Sequence, residues 1–258
     1  MRFMSGLFRW GLILLGVYIG LGIFVFFFQS FILYHPDMSE FEECMGFQDY
    51  EMIEKDSTRM FYLDQSDSEF VVYYRGNAGS TCDRRDLGEF FESSGKSVVF
   101  VEYAGYAGDD RSPSSDLILD DVSNVVDFLE EYESGVVVGN SLGSSLAAYQ
   151  SNISDNVDSL VLISSFTNSY DLAREMFPIY PVSLMLREVY ETDSWISGFQ
   201  GDVSFIHGAE DTVIDPRNSY ELYESFQGDG EYHLIDGRGH NDLWMSTEFQ
   251  DLVEDLVS

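Results

Sequence analysis

Gly139-Asn140-Ser141-Leu142-Gly143 stands directly between an apolar run, Gly135 to Val138, and a stretch of helical spacing, Ser144 to Gln150. A chain can pass from a strand into a helix within so few residues only through a sharp turn, and a glycine at each end lets the two backbones approach closely around it. Such a turn leaves Ser141 exposed at the carboxyl end of the sheet that the strand joins. The rest of that sheet is legible on both sides. Ser97 to Tyr103, Gly135 to Gly139, Leu160 to Ile163, Val203 to Ile206 and Tyr232 to Ile235 are predicted strands, apolar enough for a parallel sheet covered on both faces. Between them the spacing turns helical. From Leu117 to Tyr132, Leu119, Val122, Val126, Phe128 and Leu129 recur at three and four, with Asp116 as the expected N-cap. A last helix is expected from Asp242 to Val257. Ahead of these, Phe47 to Ile53, Arg59 to Leu63 and Phe70 to Tyr74 are short β-rich runs between polar breaks, an opening set of strands that is partly antiparallel. The fold class is α/β, a mostly parallel central sheet with helices on both faces.

From Trp10 to Tyr34 no residue is charged, which is long enough to cross a bilayer, for which ~20 apolar residues suffice. A cleaved signal peptide has a shorter apolar region and a small-residue cleavage site, so an uncleaved transmembrane helix over residues 1–35 is expected, followed by one globular domain over 36–258. Arg2 and Arg9 precede the span, whereas Glu40, Glu42 and Glu43 follow it. The positive-inside rule then expects a single-pass protein of the cell membrane with its globular domain outside the cytoplasm.

The chain carries 46 acidic residues against 13 basic ones, a formal net charge of -33, and its only lysines are Lys55 and Lys96. Nucleic acid is excluded as an expected partner. The charges are spread evenly and 45% of residues are hydrophobic, so the chain reads as a packed fold with an acidic surface, suited to a high-salt, halophilic setting that screens its self-repulsion. Cys44 and Cys82 lie in no metal-ligand spacing, and two free thiols are expected rather than a bridge. The pairs Asp109-Asp110 and Asp120-Asp121 read as surface, and no metal or cofactor is expected.

A serine hydroxyl is a poor nucleophile until a base takes its proton, and the oxyanion that follows needs donors already in place. Ser141 supplies the hydroxyl. Among four histidines, His240 follows the final strand in a loop at the same sheet edge; His35 adjoins the apolar segment, and His207 and His233 read as packed or hydrogen-bonded strand residues. Asp211, in His207-Gly208-Ala209-Glu210-Asp211 after the strand Val203 to Ile206, is the expected orienting carboxylate, with neighbouring Glu210 as the substitute. Asp236 and Asp242 read as a strand end and a helix cap. The order Ser, Asp, His is that of the triad carried on α/β-hydrolase folds. Arg75-Gly76-Asn77-Ala78-Gly79 follows the strand Phe70 to Tyr74, and the backbone N–H groups of Asn77 and Leu142 are the expected oxyanion hole.

With these residues in place the chain resembles the small, membrane-anchored abhydrolase-domain serine hydrolases of the α/β-hydrolase superfamily over nearly all of its length after Tyr34. Proteins of that kind commonly show His-Gly-Asn-Ala-Gly, a Tyr-Arg-Gly-Tyr-Gly segment and His-Gly-x-x-Asp. The matching stretches are Arg75 to Gly79, Tyr103 to Gly108 and His207 to Asp211, with departures at Arg75, where His is usual, and at Ala104, where Arg is usual. The resemblance implies the α/β-hydrolase fold, no cofactor, and an esterase or thioesterase working through an acyl-enzyme on Ser141. A peptidase of the same fold and a catalytically silent scaffold are the competing readings; no propeller or recognition domain accompanies the first, and Ser141, Asp211 and His240 together speak against the second.

About 38 residues separate the strand ending near Ser164 from the strand at Val203, far more than the usual 2–6 of such connections. A small helical lid over about 165–200 is expected, broken into short pieces by Pro178 and Pro181. Phe166, Phe177 and Met185 are its expected substrate contacts, suited to an acyl or lipid-like small molecule.

Because the charge is -33, the melting temperature is predicted to rise as ionic strength goes from ~0.01 M to ~1 M and the Debye length shrinks from about 30 Å to about 3 Å. Thermal unfolding followed by circular dichroism over that range checks this, and a flat or falling curve contradicts it.

Overall fold

The computed structural model describes residues 2–44 and 46–258, with side chains from Phe8 onward apart from Met45. The Arg2 side chain, used in the orientation expectation above, therefore lies outside the described residues. Helix α1 (Arg2–Leu33) leads, with a break in helical geometry at Phe28. Its stretch Phe8–Leu33 has mean hydropathy 2.5 and is long and apolar enough to cross a membrane.

Among the described residues, eight strands form the central sheet: β1 (Glu51–Lys55), β2 (Thr58–Leu63), β3 (Glu69–Tyr74), β4 (Ser97–Glu102), β5 (Ser134–Asn140), β6 (Ser159–Ile163), β7 (Asp202–Gly208) and β8 (Gly230–Ile235). Their spatial order is β8-β7-β6-β5-β3-β4-β2-β1. The pairs from β8 to β4 are parallel, while β2 pairs antiparallel with both β4 and β1. The helices after α1 are α2 (Gly88–Glu92), α3 (Ser115–Phe128), α4 (Leu142–Ile153), α5 (Ser169–Met176), α6 (Val182–Met185), α7 (Thr192–Ile196), α8 (Pro216–Ser225) and α9 (Thr247–Val257).

Alternation along β3 shows why the middle strands are apolar throughout. Phe70, Val72 and Tyr74 face a core shared with Ile118 and Val122 of α3 and Leu146 of α4. Val71 and Tyr73 face the opposite core, shared with Phe91 of α2 and Phe249 and Val253 of α9. Each such apolar side chain, fully withdrawn from water, contributes about 1.5–3 kcal/mol, which is why the strand is apolar on both faces.

Several expectations from the sequence shift. The run at Phe47 is not strand until Glu51; Phe47 and Tyr50 instead wedge their rings against Phe61 and Phe100. Helix α3 is capped not by Asp116 but by Ser114, whose hydroxyl accepts from Leu117 N–H. The C-terminal helix is broken: a 3-10 turn, Leu243–Met245, precedes α9, which Ser246 caps. Asp121 is not a surface residue. It is buried, accepts from Thr58 Oγ1 and Ala104 N–H at 2.7 Å each, and burial pushes its carboxyl up to about 6. In the segment 165–200, α5 stops at Met176 ahead of Pro178, and α6 begins after Pro181.

The two cysteines are joined, against the expectation of free thiols. Cys44, just after a 3-10 turn at Phe41–Glu43, bridges Cys82, in the 3-10 segment Thr81–Leu87, with a Cα–Cα distance of 5.3 Å. Sequence separation concealed this, because the two residues are brought near one another by the segment after α1, where His35–Pro36 pairs with Ala78–Gly79 in the loop after β3. Closing a loop between residues 38 apart restricts the unfolded chain. The Cys44→Ala/Cys82→Ala variant is therefore predicted to lose about 2–4 kcal/mol of unfolding free energy in oxidising buffer, measured as a shift in the urea midpoint; an unmoved midpoint contradicts it.

Candidate active site

The turn between β5 and α4 places Ser141 at φ 55°, ψ -115°, a left-handed conformation that a side chain rarely adopts. Two glycines make it possible. A Cβ on Gly139 would lie 2.2 Å from Gly143 O, and one on Gly143 would lie 2.0 Å from Tyr74 O, so either side chain would drive the helix off the sheet. The turn is fixed by Ser141 N–H donating to Ile163 O at 2.8 Å and by Ser144 Oγ donating to Ser141 O at 2.6 Å.

His240 sits in the loop after β8, with Nε2 3.2 Å from Ser141 Oγ and Nδ1 2.7 Å from Asp211 Oδ2. An ionised carboxylate only accepts, so Nδ1 carries the hydrogen and Nε2 is left to accept from the serine. The loop itself is held by Gly239 N–H donating to Asp242 Oδ1 at 2.6 Å and by Glu210 N–H donating to Arg238 O at 2.8 Å. Glu210, the alternative carboxylate, is exposed, whereas Asp211 is buried.

Asp211 is held from every side. Its Oδ1 accepts from the N–H groups of Val213 and Ile214 at 2.8 and 2.9 Å, and its Oδ2 is also 3.0 Å from His207 Nε2. Burial alone pushes this carboxyl up, but the hydrogen bonds from His207, His240 and Ile214 outweigh it and hold the group well below the usual carboxylate range. His207 was legible as a hydrogen-bonded strand histidine; its partner was not. Because its Nε2 faces two acceptors, Asp211 Oδ2 and Ile214 O, that nitrogen carries a hydrogen, and the opposite Nδ1 lies 2.8 Å from Ser219 Oγ.

Leu142 is the first residue of α4, where backbone N–H groups lack intrahelical acceptors and the helix dipole is positive. Gly76, Asn77 and Ala78 line the same cavity as Ser141 and His240. Asn77 is pinned by its other groups: its carbonyl accepts from Tyr106 Oη at 2.7 Å and His35 N–H at 3.3 Å, and its Nδ2 donates to Leu33 O, at the end of α1, at 2.5 Å. Arg75, the departure from the usual histidine, is fully buried beneath this loop. It donates to Glu102 Oε1 at 2.6 Å and to Gly76 O at 2.9 Å, with its guanidinium 4.5 and 4.3 Å from the ring centres of Tyr103 and Tyr106. The other oxygen of Glu102 accepts from Thr81 N–H at 2.8 Å, so one ion pair braces both ends of the loop.

The cavity above Ser141 has a volume of about 500 Å³ and is mainly apolar. Phe166, Phe177 and Met185 all line it, Phe166 buried and the other two half-buried. So do Val25, Gln29, Ile32 and Leu33 of α1, which sequence reasoning assigned only to the span.

No family model matches the chain. An esterase of Pyrococcus furiosus superposes on it with a TM-score of 0.68 at 18% identity, covering 86% of this chain and 95% of that one. Among curated proteins, an uncharacterised protein of Mycobacterium tuberculosis is 27% identical over 178 residues, 67% of this chain and 63% of its own. The alpha/beta hydrolase domain-containing protein WAV2 of Arabidopsis thaliana is 25% identical over 173 residues, 59% of this chain and 56% of its own. The chain thus spans less than two thirds of the length of these curated relatives. Its fold is the α/β-hydrolase fold.

Removing one partner of a buried ion pair leaves the other charge stranded, which costs about 3–5 kcal/mol. Glu102→Ala is predicted to lose that much stability in urea denaturation, and Arg75→Met/Glu102→Leu to recover most of it. A double variant no more stable than the single one contradicts the pairing.

Proposed function

We propose that the chain is a membrane-anchored serine hydrolase that cleaves carboxylic ester or thioester bonds through an acyl-enzyme. The observation that carries this is the continuous relay from Ser141 Oγ through His240 to Asp211, at 3.2 and 2.7 Å, on a turn that presents the serine to a cavity. Ser141 Oγ attacks the carbonyl carbon as His240 Nε2 takes its proton. The oxyanion is met by the N–H groups of Leu142 and Asn77. When the bond to the leaving group breaks, His240 returns the proton to the departing oxygen or sulfur. A water molecule then gives one proton to His240 and its hydroxyl to the acyl carbon, and as the bond to Oγ breaks His240 passes that proton to Ser141, releasing the acid. Asp211, kept ionised, orients the ring and stabilises its charged form. The esterase among the structural neighbours supports the reaction class.

In this reading residues 1–35 anchor the chain, 36–258 form the catalytic domain, and 165–200 cover the site. Placement of the domain outside the cytoplasm is supported by the Cys44–Cys82 bridge, since disulfides persist in oxidising surroundings.

Full-length protein in detergent is predicted to be labelled by a fluorophosphonate probe and to hydrolyse p-nitrophenyl esters. Ser141→Ala should abolish labelling, and both Ser141→Ala and His240→Ala should lower kcat by about 10⁴-fold or more, because the pair acts as a unit. Labelling that survives in Ser141→Ala sinks the assignment.

A further inference from the structure

Helix α1 is fastened to the cover of the site by groups that an anchor alone does not require. Gln29 Nε2 donates to Met185 O at 3.1 Å, while its Oε1 accepts from the N–H groups of Arg187 and Glu188 at 2.6 and 3.3 Å. Ser30 Oγ and Tyr34 Oη both donate to the buried carboxylate of Glu188, which also accepts from Ser115 N–H at 2.7 Å. Higher up, the rings of Tyr18 and Tyr180 stack at 4.7 Å, and each hydroxyl donates to a backbone carbonyl of the opposite segment, Ile179 O and Tyr18 O. A polar side chain in a membrane span is costly unless it is partnered. Gln29 and Ser30 interrupt an otherwise apolar run, and both find their partners in the segment that covers Ser141.

The fastening closes a cavity. Val25, Gln29, Ile32 and Leu33 form one wall of the space above Ser141, facing Phe177 and Met185. These four belong to the same Phe8–Leu33 stretch that is apolar enough to lie in lipid. Apolar side chains point outward beside the cavity: Phe31 of α1 is 81% exposed and Leu184 of the cover is also 81% exposed. Each lies next to a residue that lines the cavity, Ile32 on α1 and Met185 on the cover, so apolar surface reaches the cavity from both elements.

We propose that the last turns of α1, Val25 to Leu33, form one wall of the acyl-binding site, held there by Gln29 and Glu188, and that the acyl chain of a bilayer-resident ester enters between this helix and the cover. This deepens the serine-hydrolase reading and rests on it. The anchor is then part of the site, with Gln29 and Glu188 as positioning residues.

The test uses the full-length protein in phospholipid nanodiscs and a decyl fluorophosphonate carrying a diazirine at the end of its chain. After the probe has reacted with Ser141, irradiation is expected to crosslink it to residues 25–33 as well as to the cover, as mapped by peptide mass spectrometry. Crosslinks confined to residues 165–200 overturn the proposal. Independently, Ile32→Trp fills the wall and Gln29→Leu releases it. Each is expected to lower the ratio of kcat/KM for p-nitrophenyl decanoate over acetate about tenfold, the effect of withholding two or three methylenes from an apolar wall. An unmoved ratio in variants that an ethyl fluorophosphonate still labels also overturns it. Failure of the unaltered protein to react with any fluorophosphonate instead removes the serine-hydrolase reading itself.

Discussion

The contact on which the site depends is the approach of helix α4 to the sheet edge at Tyr74. With only 2.0 Å between a Cβ placed at Gly143 and Tyr74 O, the helix can start where it does only because residue 143 has no side chain. That approach forces the left-handed backbone at Ser141, puts Leu142 N–H at the head of the helix, and sets the serine opposite the loops that follow β7 and β8. His240 and Asp211 come from those loops. Parallel strands bring their carboxyl ends to one edge, so residues distant in sequence converge there once the strand order is set.

Around this turn the protein relies on buried polar groups that satisfy one another. Glu102 serves Arg75 and Thr81; Asp211 serves two histidines and two backbone N–H groups; Glu188 serves Ser30, Tyr34 and Ser115. Carboxylates with several donors each fix the arrangement of the loops they join, although Arg75 Nε is buried with no hydrogen-bond partner among the described residues. Arg75, where histidine is usual, is tied into the loop by its planar fork, which reaches Glu102 and the Gly76 carbonyl while two tyrosine rings lie against it.

Much of this was legible beforehand. The apolar runs located the parallel strands to within a residue or two, since burial on both faces leaves no other composition. The serine turn, the aspartate after β7 and the histidine after β8 were each readable from a local pattern. What escaped were relations across the fold. The pairing of Cys44 with Cys82 is set by where two loops cross, which no spacing records. The run at Phe47 carries strand composition but buries its rings as a loop. The apolar helix gave its length and hydropathy, yet nothing in that run reports that one face would close a cavity. Tyr18, Gln29 and Ser30 are polar side chains of that run whose partners lie in the cover.

The bridge adds a dependence on surroundings. Cys82 lies only a few residues beyond the Asn77 loop, in the segment whose Thr81 is tied to Glu102, and Cys44 lies on the stretch that leaves α1. The loop is thus moored twice, once by charge, which is present wherever the chain folds, and once by a covalent bond, which survives only where thiols are not kept reduced. The covalent tie between the stretch that leaves α1 and the segment after the Asn77 loop is therefore set by the compartment as well as by the sequence.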